Sequence, residues 1–548
     1  MKEDLARRGH SLYFWLLWCL VLWGSAFLRF YAPDWDQGIA AHPDERFVLG
    51  VAQNTSPYAN LCMVSPEFPY GHLPVTFLSL VIQLAPQADP LYVARILSGL
   101  SGILLVALAG RCGSGLSHSA MAGPLAAGLA AFCPFLIQQA HFYTVDPWAA
   151  VFGTLAVLLA TRHRWFWSGL SAGLAVACKA SAIWIGGFLC VSIAIAIPRR
   201  DWIRVGSLFA SAFVAGILVG APWLVLAPLQ CWRGPFIQAQ LASGRFIFPY
   251  TRQYTHTLPW IYPFFQMFLW GMGPTTTVAG AIGFLGTLVK WKNVSRARLL
   301  TVVPAALFFI VVAGLRVKYP RYLLPIYPLW IGAATKCFLD LSRILRQSTR
   351  RWVSIVILLT VTAIPCIMGI AQVAVYKGVH PWVEASRWIY DRVEKDAVIG
   401  VESWDHPLPV PLPSGSPSTY QQVTVPVLDH KHSSDSSVEV SRRYREASVV
   451  VLASRRNYGV VARQSSRFWE AYTRYQTMFA ERRVVVFSRC PRIGPFAFSD
   501  NPFRRLGIRG TPNLEAICEA KYVIRFPSID ESFRVYDAPV TVLLLGDN

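Results

Sequence analysis

Two short acidic motifs carry most of the chemistry this 548-residue chain can offer. The first, AAHPDERF, places His42, Asp44 and Glu45 together; the second, QQAHFYTVDPW, places His141, Tyr143 and Asp146 together. A carboxylate can take the proton of an attacking hydroxyl, and a second can orient a reacting group or hold a divalent ion. An Asp-Glu pair after a proline is also the ordinary acidic start of a helix, so neither motif is decisive alone. Cations form the complementary set. Lys179 sits in ACKASA among apolar residues, where a lysine inside a span costs about 2.5–3.5 kcal/mol. Arg316, Lys318, Arg321 and Tyr322 crowd into GLRVKYPRYLLPIYP, and Arg245 and Arg252 into RFIFPYTRQYTHTLPW. Such groups suit a phosphate at a membrane surface, with arginine able to bind it bidentately. Carboxylates near cations on an apolar body point to a substrate with an anionic phosphate and a lipid tail, its phosphate leaving as an acid activates the nucleophile.

The elements that must position these groups are membrane helices. The chain is 54% hydrophobic and 15% charged, with a mean hydropathy of +0.40, which excludes a disordered chain, a coiled coil and an ordinary cytosolic enzyme. Apolar segments lie near 12–30, 94–110, 120–140, 148–160, 167–181, 182–197, 206–227, 262–289, 299–314, 323–340 and 352–375. The first reads as an uncleaved span. The shorter segment 74–87 reads as a re-entrant or interfacial helix. The segments 167–181 and 182–197 abut around Lys179. About eleven spans result, with the N-terminus cytoplasmic and the C-terminus outside. Lysine and arginine agree with that alternation: the expected inner segments hold 17 in 51 residues and the outer loops 31–73, 141–147, 228–259 and 314–322 hold 7 in 91. The net charge of +21 lies mostly in residues 1–379, so it reads as topology-setting charge at a membrane and not as a nucleic-acid surface. Asp44 and Asp146 then share the outer face.

Residues 380–548 read as a polar outer α/β domain without a nucleotide-binding glycine loop. Strands are predicted at 448–453, 483–487, 522–526 and 540–545, helices at 382–394 and 466–480, and a loop over 406–438. The eleven cysteines show no CxxC pair; Cys490 and Cys518 lie in this tail and could pair.

The blocks HPDERF, EFPYGHLPVTFL, HFYTVDPW, ACKASA, PYTRQYTHTLPWIYPFFQMFLWGMG and YPRYLLPIYP, in this order, resemble the lipid-phosphate-sugar glycosyltransferases of the C-type fold (GT-C). These include the protein O-mannosyltransferases, the lipid A aminoarabinose transferases and bacterial family-39-like enzymes. HPWVEASRWIYDRV, ESWDHPLP and ESFRVYDAP in the tail are similar to a bacterial subgroup. The resemblance implies a transmembrane domain 1–379 with catalytic outer loops 31–73 and 141–147, and an extracytoplasmic domain 380–548. It implies an inner-membrane enzyme of the cell envelope that moves a monosaccharide from a polyprenyl-phosphate carrier to an acceptor hydroxyl with inversion. By carry-over, Asp44 is the base, and Glu45 and Asp146 orient acceptor or donor. Lys179 and Arg321 hold the donor phosphate, with Arg252 and Lys318 behind them. His42, His141, Tyr143 and Tyr322 line the pocket. A divalent metal is allowed, with Glu67 and His72 where one subgroup has a ligand. The partners implied are the lipid-linked sugar, membrane lipid and a glycan, lipid or protein acceptor, with no nucleic acid. The alternative is a transporter or flippase of a lipid-linked glycan; the sequence shows no matching halves, and its acids cluster outside the spans instead of at midplane.

Overall fold

The computed structural model describes residues 2–65, 67–117, 119–348, 351–403, 405–412, 419–428, 437–503, 506–507 and 512–546. It resolves into two compact units that do not divide at one point of the chain. The first comprises Met1–Pro33, Pro43–Phe246 and Thr257–Ile370; the second comprises Asp34–His42, Ile247–His256 and Ala371–Asn548.

The first unit is helical, and its helices follow the apolar segments of the sequence. Pro90–Leu116, Arg199–Gly220 and Arg296–Ala313 are long and apolar enough to cross a membrane, as is the run Ile355–Arg392, whose residues from Ala371 onward belong to the second unit. Among the described residues seven shorter apolar helices accompany them: Phe14–Phe30, Leu73–Leu84, Ala122–Ala131, Val145–Thr161, Trp165–Cys178, Ala180–Ala196 and Pro274–Val289. The helix Lys2–Phe30 shows why these segments need lipid. Leu16, Leu20, Trp23 and Phe27 recur every three or four residues on one exposed stripe, Leu20 at 63% and Trp23 at 71% exposure. That stripe would be costly in water and is at home in hydrocarbon. The opposite face buries Trp18, Ser25, Leu28 and Arg29. The Arg29 guanidinium donates to the carbonyls of Ala130 (3.1 Å) and Ala131 (3.1 Å), so a buried cation caps the C-terminal end of a neighbouring helix.

Two expected segments are broken where the backbone demands it. Segment 120–140 becomes Ala122–Ala131 and Pro134–Gln139, interrupted before Pro134. Segment 262–289 becomes Ile261–Gln266, a π turn over Met267–Gly271, and Pro274–Val289, turned at Gly273 with φ +84°. The segment expected to be re-entrant forms the twelve-residue helix Leu73–Leu84. Lys179 stands where expected, at a break between helices, in extended conformation.

The second unit is α/β. Its strands are β1 (Val398–Glu402), β2 (Gln421–Val425), β3 (Val449–Leu452), β4 (Arg483–Phe487), β5 (Arg492–Ile493), β6 (Phe496–Ser499), β7 (Tyr522–Arg525) and β8 (Thr541–Leu545). A five-stranded mixed sheet runs β2-β1-β3-β8-β4, and a small sheet runs β5-β6-β7. β1 lies parallel to β2 and β3, and β8 antiparallel to β3 and β4. The central strands VVVL and TVLLL are buried on both faces, hence their continuous apolar runs. Tyr458, Tyr475, Phe479 and Phe503 pack with Val542 and Leu544 into the core. Cys490 and Cys518 form a disulfide. The four expected strands are β3, β4, β7 and β8, and the two expected helices are Pro381–Arg392 and Trp469–Glu481. β1, β2, β5 and β6 went unread; β2 lies inside the expected loop 406–438, part of which falls outside the described residues.

Candidate functional site

The helix Pro43–Asn54 opens with Asp44 and Glu45 in its first turn. Successive helical residues point about 100° apart, so the two carboxylates face different surroundings. Asp44 is partly exposed and forms an ion pair with Arg321, which arrives on the turn Pro320–Ile326. The Tyr70 hydroxyl also donates to Asp44; burial and that carboxylate hold the Tyr70 phenol well above its ordinary pKa. Glu45 is 0% exposed. Its oxygens accept from Arg95 Nε (3.2 Å) and Nη2 (2.8 Å), and from the backbone N–H of Tyr143 (2.8 Å). Arg95 also donates to the Pro33 carbonyl (2.9 Å). Glu45 therefore ties the start of its own helix to the helix Pro90–Leu116 and to the loop before Val145, and it has no surface left to touch a substrate.

Asp146 lies in the first turn of Val145–Thr161, and its Oδ1 pairs with Lys179 Nζ at 2.6 Å. The break between Trp165–Cys178 and the following turn carries Lys179 there, with its ammonium 5.0 Å from the centre of the Tyr322 ring. The Arg321 guanidinium lies 5.3 Å over the Tyr319 ring. Gly71 sets the approach of Tyr70 to this cluster. Its N–H donates to the Cys178 carbonyl (3.0 Å), and a Cβ there would sit 2.1 Å from the Ala177 carbonyl oxygen. Only glycine allows the two backbones to touch beside Lys179.

Part of this cluster lines a cavity of about 510 Å³. Tyr70, Asp146, Lys179, Arg321 and Tyr322 supply its polar end; Ile183, Trp184, Phe236, Phe308 and Val312 are among its apolar walls. A charged end and a long apolar wall suit an amphiphile with an anionic head. The site is built from the loops expected to be outer. Asp44, Asp146 and Arg321 belong to loops 31–73, 141–147 and 314–322, and a disulfide from Cys62 to Cys231 brings in loop 228–259.

Other expected site residues lie elsewhere. Tyr143 is buried, its hydroxyl donating to the Pro74 carbonyl (2.7 Å). His141 is buried between the carbonyls of Ile137 (2.8 Å) and Tyr31 (3.1 Å), and burial holds its pKa down at about 4. Lys318 is buried and donates to the Arg316 carbonyl (3.0 Å). Arg252 and His42 belong to the second unit. There Arg252 donates to the Leu428 carbonyl (3.2 Å) and lies over Phe468, while the His42 ring packs 4.2 Å from that of Tyr536. Glu67 pairs with Arg233 (2.8 Å) at the surface.

The metal question turns on His72. It is buried, with its pKa pushed down to about 4 by burial, and its Nε2 lies 3.4 Å from Cys62 Sγ. Among the described residues, Cys62, His72 and Cys231 bring three ligand atoms within 4.8 Å of one another. Sulfur and imidazole suit a soft ion such as zinc and not a hard oxygen-seeking one, and sulfurs joined as a disulfide are not thiolates. Of the two residues expected near a divalent metal, His72 belongs to this group and Glu67, held by Arg233, does not.

Tyr70, Arg95 and the Cys62–Cys231 pair went unread as site residues. Tyr70 stood inside the block EFPYGHLP and carried a signal, an aromatic between Pro69 and a glycine. Arg95 and the cysteines carried none, since each sits far in sequence from its partner.

Comparison with known proteins bears on the fold. A family model described as dolichyl-phosphate-mannose-protein mannosyltransferase matches residues 61–229. No curated protein sequence matches the chain. Among solved structures, the oligosaccharyltransferase of Archaeoglobus fulgidus tethered to an acceptor peptide is 13% identical, with a TM-score of 0.53, covering 87% of this chain and 73% of that one. The same archaeal enzyme, AglB, in complex with an inhibitory peptide and a dolichol-phosphate is 14% identical over the same shares, also at 0.53. ArnT of Cupriavidus metallidurans bound to undecaprenyl phosphate is 14% identical with a TM-score of 0.46, covering 88% of this chain and 93% of that one. The chain's fold is thus similar to that of the archaeal enzyme, with helices long and apolar enough to cross a membrane and an α/β unit.

Proposed function

We propose that this protein is an integral-membrane glycosyltransferase that moves a monosaccharide from a polyprenyl-phosphate carrier to an acceptor hydroxyl outside the cytoplasm. The observation that carries the reading is the cavity: the Asp146–Lys179 pair and Arg321 line the polar end of an apolar chamber, and Asp44 reaches that end through its pair with Arg321. The carrier's isoprenoid would lie along Trp184, Phe236 and Phe308, with its phosphate at Lys179 and Arg321. The archaeal enzyme of the same fold, solved with dolichol-phosphate, supports a carrier of this class.

In the reaction Asp44 takes the proton of the acceptor hydroxyl. The acceptor oxygen bonds to the anomeric carbon as the carbon–oxygen bond to phosphate breaks. The electron pair leaves on the phosphate, whose charge Lys179 and Arg321 stabilise. A single displacement from the opposite face inverts the anomeric centre. Asp146 positions Lys179, and Glu45 positions the loops through Arg95. Arg321 pairs with Asp44 while no phosphate competes for it, so donor binding draws Arg321 away and frees the base.

The topology is about eleven spans with a cytoplasmic N-terminus and the C-terminal domain outside. Two disulfides support the outer assignment, because such bonds persist in oxidising compartments. Purified protein in detergent, given radiolabelled undecaprenyl-phosphate sugars and an acceptor panel, tests the reading. Turnover without a sealed compartment supports it; sugar-lipid movement only across sealed vesicles refutes it.

A further inference from the structure

Cys62 in the short helix Leu61–Val64 and Cys231 in Pro228–Cys231 are joined with their Cα atoms 5.3 Å apart, across 169 residues of chain. Each leads directly to a wall of the cavity. The chain after Cys62 continues to Tyr70, the partner of Asp44; the chain after Cys231 continues to Trp232 and Phe236. Non-covalent ties cross the same seam. Trp223 Nε1–H donates to the Tyr58 carbonyl (2.9 Å), and Arg233 pairs with Glu67. A Cβ on Gly234 would lie 2.2 Å from the Phe68 carbonyl oxygen, so the two backbones meet there. The ion pair is exposed and of a kind worth little. The disulfide is buried, at 8% and 1% exposure for its two cysteines. The cysteines without a disulfide partner, such as Cys112, Cys178 and Cys190, lie on the apolar helices.

We infer that the Cys62–Cys231 disulfide positions the donor site: it clamps the helix Arg233–Ser243 against the loop bearing Tyr70 and fixes the width of the cavity, so that polyprenyl phosphate binds tightly only in the oxidised protein. The inference rests on the cavity's being the donor site proposed above. The bond forms by exchange: the two thiols give up two protons and two electrons to an external disulfide, which is reduced to two thiols. Dithiothreitol reverses this, its own thiols closing into a cyclic disulfide. Reduction frees two segments that binding must then order, and affinity falls by that cost.

The test uses full-length protein in detergent with undecaprenyl phosphate as probe, read by quenching of tryptophan fluorescence (Trp184 and Trp232 line the cavity). Peptide mapping without reduction should recover Cys62 linked to Cys231. Dithiothreitol and the double variant C62S/C231S should each weaken binding roughly tenfold, and dithiothreitol should not weaken the double variant further. The control C490S/C518S should bind like wild type and still lose affinity on reduction. Free alkylation of Cys62 and Cys231 in unreduced protein, or a zinc ion held by them and His72, overturns the inference. So does unchanged affinity in reduced protein whose circular dichroism is unaltered, a measurement that stands even if C62S/C231S fails to accumulate. Tight, reduction-sensitive binding without transfer to any acceptor sinks the transferase reading and leaves this one standing. Transfer with affinity indifferent to reduction does the reverse, and absence of binding sinks both.

Discussion

Removing the Glu45 carboxylate should destabilise the membrane unit without touching a substrate contact. The carboxylate accepts two bonds from Arg95, at 3.2 and 2.8 Å, and one from the Tyr143 amide at 2.8 Å, with the Glu45 and Arg95 side chains 0% and 2% exposed. Glu45→Ala leaves a guanidinium buried without its counter-charge, which costs about 3–5 kcal/mol. Part of that is the orphaned Tyr143 N–H, a group worth about 1–3 kcal/mol when left unsatisfied. Arg95→Met alone strands the carboxylate at similar cost. The double variant Glu45→Ala/Arg95→Met removes both charges and should recover most of the loss, since replacing a buried pair by apolar groups is often near neutral. The assay is the apparent unfolding midpoint in one detergent at one scan rate, which keeps irreversible loss comparable between variants. Single variants should melt several degrees lower and the double variant near wild type. A Glu45→Ala protein that melts like wild type, or a double variant as unstable as the two singles added, would refute the argument that Glu45 is a structural tie.

Other outcomes follow from the same geometry. Lys179→Ala and Arg321→Ala should each raise the donor KM at least tenfold, the scale of a lost charge-assisted hydrogen bond of about 1.5–3 kcal/mol, with wild-type donor kinetics as the contrary result. Gly71→Ala should abolish activity or accumulation, because its Cβ would meet the Ala177 carbonyl oxygen at 2.1 Å; an active Gly71→Ala protein would mean that Tyr70 and Lys179 are not held by that contact. Glu402 in the second unit is buried, accepts from Tyr475, and has its pKa raised from 4.5 to about 8 by burial. The folded state thus keeps a proton that the unfolded chain loses, so stability is full below about pH 4.5 and declines as pH rises towards 8, by about 1.4 kcal/mol per unit. Unfolding midpoints of wild type and Glu402→Gln against pH should converge below about pH 4.5, separate progressively above it and run parallel beyond about pH 8; curves parallel throughout would count against the buried neutral acid.

The apolar periodicity made the membrane body legible, because lipid-facing stripes such as Leu16–Leu20–Trp23–Phe27 leave a composition no soluble domain carries. Breaks at Gly273 and before Pro134 were marked by residues known to interrupt helices, yet the apolar run masked them. In the second unit the buried strands β3 and β8 stood out as continuous apolar runs, whereas β1 carries a central glycine and β2 is mostly exposed, so neither has a strong pattern. At the site, residue type singled out Asp44, Asp146, Lys179 and Arg321, which meet at one cavity or at its edge. It misjudged which neighbours face the chamber. His141 and Tyr143 share a motif with Asp146 but lie buried in backbone contacts, and Glu45 is turned away from Asp44 by helical geometry alone. Charge marks where chemistry is available, and only the packing decides which way each side chain faces.

The most direct test of the account is turnover by Asp44→Asn. The amide keeps the shape and can still meet Arg321, but cannot accept the acceptor's proton. With a radiolabelled undecaprenyl-phosphate sugar that wild-type protein uses, the account predicts donor binding within a few-fold of wild type and kcat lowered by roughly 10²–10⁴. Asp44→Asn turning over at the wild-type rate would contradict it.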